Sequence, residues 1–193
     1  MKKTNLRNYI HTFPPGLADI ITPVTVYLKI RDQFPNTILL ESSDYHGNTN
    51  SMSYICFDVL SSFRVEHDRI RIGFADGKSE ERTVTDTNSV SDALDEFLKS
   101  FTVQRESGQA NIAGDGLFGY TSYDAVRYFE TIKFTNPVSE DCRIPEIHYS
   151  LYRYVIAINH FTNRIFLVEN LLENEESDAV TIKNILRSRN LGT

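Results

Sequence analysis

The pattern of apolar and polar positions divides the chain into short alternating or continuous runs separated by turn residues. The spacing predicts more strand than helix. Thr22-Pro23 has the form of a helix start, with Thr22 as N-cap and Pro23 at the first helical position, and Val24, Tyr27, Leu28 and Phe34 form its expected apolar face. Thr37 to Leu40 follows as a strand expected to be buried on both faces, and it stops at Glu41-Ser42-Ser43. Tyr54-Ile55-Cys56-Phe57 reads as a buried strand. Phe63 to Glu66, turning at His67-Asp68 into Arg69 to Phe74, alternates as antiparallel neighbours do. Asp76-Gly77 signals a type I′ hairpin leading to Glu81 to Val84, which is polar enough for a sheet edge.

Ser89 and Asp92 have capping-box spacing ahead of Leu94, Phe97, Leu98 and Phe101, the stripe of a helix. Gln104 to Asp115 reads as a loop into Gly116 to Tyr120. A second helix is expected behind Thr121 or Ser122, carrying Tyr123, Val126 and Phe129 inward. Ile147 to Ile158 and Arg164 to Val168 pair as a hairpin, and Ser177 caps a last helix with Ile182, Ile185 and Leu186. The prediction is therefore a single α+β domain over 1–193, with mainly antiparallel sheet and about four helices, a flexible arm at 1–16 and a final helix at 177–193.

Composition narrows the function. The 193 residues carry a formal charge of −6, so the clustered cations that nucleic acid or an anionic membrane would need are missing. The N-terminus has no apolar core of a signal peptide and no run spans a bilayer, which predicts a soluble, cytoplasmic protein. Cys56 and Cys142, far apart in the chain, are expected to be reduced and to carry no chemistry.

Candidate chemistry is sparse. Gly114-Asp115-Gly116-Leu117-Phe118-Gly119 has dinucleotide-fingerprint spacing, but no buried parallel strand precedes it, so a tight turn with close backbone approach is the better reading. The five histidines show no ligand spacing, and no metal site is expected. Ser42, Asp44 and His46 lack the strand-turn-helix setting of a hydrolase nucleophile. Asp124, Arg127 and Glu130 fit a surface ion-pair row. No catalytic residue is assigned.

Three segments, in order, resemble the N-terminal region of component I of anthranilate synthase. Leu39-Leu40-Glu41-Ser42 resembles that family's tryptophan-site motif, behind Thr22-Pro23-Val24-Thr25-Val26-Tyr27. Gly116 to Glu130 is similar to its Gly-Leu-x-Gly-Tyr-x-x-Tyr-Asp-x-Val-Arg-x-x-Glu segment, and Tyr154 to His160 stands where the family has a strand ending in Asp-His. The resemblance implies a fragment, inactive alone, of a cytoplasmic lyase that makes anthranilate and pyruvate from chorismate in tryptophan biosynthesis. Chorismate and Mg²⁺ would bind in a C-terminal catalytic domain, and a glutamine amidotransferase subunit would supply ammonia. No cofactor is implied for the fragment itself.

By the same resemblance Leu40, Glu41 and Ser42 would contact L-tryptophan as feedback effector. Where many relatives have a Lys or Arg shortly afterwards, an ungapped reading puts Met52. Apolar surface left by an absent catalytic domain could be covered in a homodimer. Aminodeoxychorismate synthase component I or another chorismate-utilising enzyme is the alternative, and a stand-alone ligand-binding or interaction domain is the second.

Overall fold

A computed structural model describes residues 3–17, 21–42, 51–132 and 144–188. Among these, nine strands and four helices make up a mostly antiparallel α+β fold, in agreement with the predicted class. The strands are β1 (Thr4–Thr12), β2 (Ile38–Glu41), β3 (Met52–Glu66), β4 (Arg69–Gly73) and β5 (Ser79–Thr83), followed by β6 (Phe101–Arg105), β7 (Leu117–Thr121), β8 (Ile147–Asn159) and β9 (Arg164–Leu172). The helices are α1 (Pro23–Arg31), α2 (Ser89–Lys99), a 3-10 helix (Tyr123–Tyr128) and α3 (Ala179–Arg187). Strands bond in the order β5-β4-β3-β8-β9-β1-β6, with β2 on β3 and β7 on β8. No helix among the described residues is long and apolar enough to cross a membrane.

The residues cluster into two compact units. The first comprises Met1–Thr4, Leu60–Thr102 and Leu117–Leu151, and the second Asn5–Val59, Val103–Gly116 and Tyr152–Thr193.

In the first unit, the hairpin β3–β4 turns through His67 and Asp68, whose φ values of 51° and 58° are those of a type I′ turn. The next turn differs from expectation. At Asp76-Gly77 only Gly77 has a positive φ, 80°, so the link from β4 to β5 is not type I′. Strand β5 ends the sheet as predicted, and its Glu81 is tied to Arg69 and Arg71. Helix α2 buries Val90, Ala93 and Phe97, whereas Leu98 is 49% exposed and Phe101 has already entered β6. Its start is held by Asp86, whose carboxylate accepts from the backbone N–H groups of Asn88 and Ser89, three residues ahead of the expected box.

The segment after β7 departs furthest from the pattern. It forms a 3-10 helix with Ala125 and Tyr128 buried, while Tyr123 is 83% exposed and Phe129 43% exposed. With three residues per turn, two rows spaced by three compete for the inward face, and the row with the small Ala125 can pack closest. Arg127 does not join Asp124 or Glu130. It donates to Glu146 at 2.9 Å and to the Tyr128 hydroxyl at 2.7 Å.

Half-buried His148, beside Tyr120, has its imidazole held below the ordinary value by burial and by the Arg64 charge. The folded state therefore binds fewer protons than the unfolded chain. The stability this represents is present above the unfolded value near 6.5 and is lost as pH falls toward the lower folded value. His148→Gln should flatten the slope of urea-unfolding free energy between about pH 7 and about pH 5.

The second unit corrects the expected arm. Thr4–Thr12 is a strand whose residues pair with β9 from Leu6↔Leu172 to Thr12↔Phe166. Its polar sequence hid this, because Asn8 is buried at 2% exposure by bonding Asn170 through a side-chain amide at 2.8 Å. Asn170 also donates to the carbonyls of Gly114 and Tyr152, and a Cβ on Gly114 would lie 2.7 Å from the Val168 side chain. Gly114 thus serves close passage past β9, whereas a Cβ on Gly116 would meet nothing within 4 Å, and a strand rather than a helix follows them.

Helix α1 keeps its predicted Thr22 cap, which accepts from Thr25 N–H at 3.2 Å. It buries Val26 and Ile30, and Val24 is 48% exposed. Lys29, 7% exposed, donates to the carbonyls of Leu186 and Ser188 at 2.8 and 2.7 Å, so its charge caps the C-terminus of α3. The core joins these helices through Ile182 and Leu186 to Phe57, Ile156 and Leu167. Burial pushes the Cys56 thiol pKa up, which keeps it protonated and unreactive. Cys142, His46 and Asp44 lie outside the described residues.

Candidate effector site

The motif Leu39-Leu40-Glu41-Ser42 lies at the end of β2, in the second unit. Strand β2 runs antiparallel to β3 with Leu39 opposite Ile55, Leu40 opposite Tyr54 and Glu41 opposite Ser53. Directly opposed residues, and alternate residues along a strand, project from the same face. Leu39, Ile55, Glu41 and Ser53 therefore share one face, and Leu39 with Ile55 contributes to the core. Leu40 and Met52 belong to the other.

Strand β2 is less enclosed than its sequence predicted. Ile38, Leu39 and Leu40 are only partly buried and Glu41 is exposed, because β2 pairs with β3 alone and lies off the main strand order. The motif is therefore a half-open strand tip. Ser42, partly buried, follows it, and residues 43–50 lie outside the described residues.

One side chain at this tip comes from far along the sequence. Ser53 is fully buried, and its Oγ lies 2.7 Å from Nε2 of His160, in the turn between β8 and β9. The His160 backbone N–H donates to the Ser51 carbonyl at 3.0 Å. A serine with no solvent access cannot attack a substrate, so this pair is structural and not a hydrolase nucleophile. Position 160 carried one signal in the sequence, its place at the end of the strand similar to the family's Asp-His. Nothing there linked it to residue 53.

The cluster combines a carboxylate, serine hydroxyls and an imidazole beside an apolar strand. That is a suitable lining for a small zwitterion, with the carboxylate facing an ammonium and hydroxyls facing a carboxylate. Groups of three or more His, Cys, Asp or Glu that could hold a metal ion are absent among the described residues.

Comparison with protein-family models returns no match. Curated proteins do match. Anthranilate synthase component 1 of Thermus thermophilus is 29% identical over 174 residues, which are 90% of this chain and 34% of the relative. The Pseudomonas aeruginosa protein of that name is 30% identical over 161 residues, 83% of this chain and 32% of the relative. The Saccharomyces cerevisiae protein is 28% identical over 163 residues, 80% of this chain and 31% of the relative. A crystal structure of anthranilate synthase component I from Streptococcus pneumoniae TIGR4 is similar with a TM-score of 0.46 and 20% identity, over 86% of this chain and 33% of that chain.

The chain thus has an α+β fold whose described residues hold a polar strand tip and no metal cluster. It is homologous to anthranilate synthase component 1 and spans about a third of the length of the curated relatives it matches.

Proposed function

We infer that this chain is the regulatory region of a chorismate-utilising synthase of the anthranilate type, and that it takes part in binding L-tryptophan as feedback effector. The observation that carries this reading is the position of Glu41 and Ser42 at a half-open strand tip, with Glu41 on the same face as the buried Ser53. Glu41 pairs with the effector's ammonium and Ser42 bonds its carboxylate. Leu40 projects from the opposite face, so its part in the site is to fix the strand by packing. Conversion of chorismate and ammonia to anthranilate and pyruvate, the Mg²⁺ it uses and the contact with a glutamine amidotransferase subunit belong to the remainder of the enzyme. The relatives' common name supports the anthranilate branch over the aminodeoxychorismate one.

In an enzyme carrying this region together with its catalytic domain, Ser42→Ala should weaken tryptophan inhibition about tenfold while leaving kcat unchanged, since one charge-assisted hydrogen bond is removed. Inhibition curves with chorismate as substrate measure it. Unaltered inhibition would remove Ser42 from the site.

A further inference from the structure

Ser51 stands apart from every motif in the chain. It immediately precedes β3, two residues before Ser53, the residue registered opposite Glu41. His160 grips both serines, Ser53 through the side chain at 2.7 Å and Ser51 through the backbone carbonyl at 3.0 Å. Ser53 is satisfied by this grip. Ser51 is not: the residue is 4% exposed, and its Oγ has no hydrogen-bond partner among the described residues. A buried hydroxyl left without a partner disfavours the folded state, and such groups recur where a ligand completes the bonding.

We propose that the Ser51 hydroxyl is an effector contact, donating to a carboxylate oxygen of an amino acid whose ammonium pairs with Glu41, and that His160 is the positioning residue that holds Ser51 there. This rests on the effector reading given above and adds to it a residue and a support. It also explains how a carboxylate is held with methionine at 52. Met52 projects from the opposite face, so a cation at that position would not share a face with Glu41, whereas Ser51 is tied through His160 to Ser53, which faces Glu41 across the strands.

The chain contains no tryptophan, so the fluorescence anisotropy of added L-tryptophan, excited beyond tyrosine absorption, reports binding directly. The unsubstituted chain should bind weakly and saturably, and Glu41→Gln should reduce that binding. Ser51→Ala should weaken it about tenfold with the thermal midpoint unchanged or raised, because the variant also loses an unpaired buried hydroxyl. His160→Ala should weaken binding and lower the midpoint, and His160→Gln, which keeps an amide near the position of Nε2, should recover part of both.

Each contrary result has its own meaning. Binding that is sensitive to Glu41→Gln and indifferent to Ser51→Ala overturns the Ser51 assignment and leaves the effector reading in place. A Ser51→Ala variant whose midpoint falls together with its affinity makes Ser51 structural and overturns the proposal. Absence of saturable binding by the unsubstituted chain overturns the effector reading, and this inference with it.

Discussion

Replacing Gly119 by alanine is expected to destabilise the protein by about 3 kcal/mol or more, or to abolish folding. A Cβ at this position would lie 1.9 Å from the carbonyl oxygen of His148 and 2.8 Å from the Cα of Tyr149. Both obstacles are backbone atoms of β8, which cannot rotate aside as a side chain can. Gly119 is registered opposite Tyr149, so relief would need β7 to leave the ladder that runs from Leu117↔Leu151 to Thr121↔Ile147. The penalty is purely steric. Gly116→Ala provides the control, because a Cβ there meets nothing within 4 Å, and its effect should stay within about 0.5 kcal/mol. Urea unfolding followed by circular dichroism gives both values, and equal effects would refute the close-approach account.

Glu169→Ala should cost about 3 kcal/mol, the range found when one member of a buried charged network is removed. The Glu169 side chain is fully buried. Its Oε2 lies 2.6 Å from His11 Nε2 and accepts from Ser177 Oγ at 2.7 Å, while Oε1 accepts the Asp178 backbone N–H at 3.1 Å. One carboxylate thus joins β1, β9 and the start of α3. Its charge, after burial itself, also helps push the Tyr154 hydroxyl up to about 12. Removing it orphans three donors together, and the amides of α3 should lose hydrogen-exchange protection first. Glu169→Gln, which keeps the shape and one acceptor, should cost about 1–2 kcal/mol. His11→Ala should cost about 1 kcal/mol, because the His11 side chain is 27% exposed and water replaces part of the contact. A Glu169→Ala variant as stable as the parent would show that the network contributes nothing net.

The strands were the most legible part of the fold. Alternation at Ile70 and Ile72, and the apolar runs around Ile55 and Ile156, identify them because a residue's face in a strand depends only on parity. Helical faces were less legible. In α1, β-branched and aromatic residues surround the whole helix, and Val26 with Ile30 won the inward face over Val24. In the 3-10 helix the change of period from 3.6 to 3.0 moved the buried row to Ala125 and Tyr128. Strand β1 was invisible because its inward polar residue, Asn8, is satisfied by Asn170, a partner 162 positions later.

The same division holds at the candidate site. The sequence alone marks a strand that ends in Glu41 and Ser42, and a likeness to one family, since both depend on residues adjacent in the chain. Tertiary structure decides which residues stand beside them. It puts Glu41 on the face of Ser53, Leu40 and Met52 on the other, and His160 against Ser53 across 107 positions. Cross-strand register and the pairing of a buried hydroxyl are set by contacts between distant segments, and no local pattern encodes those.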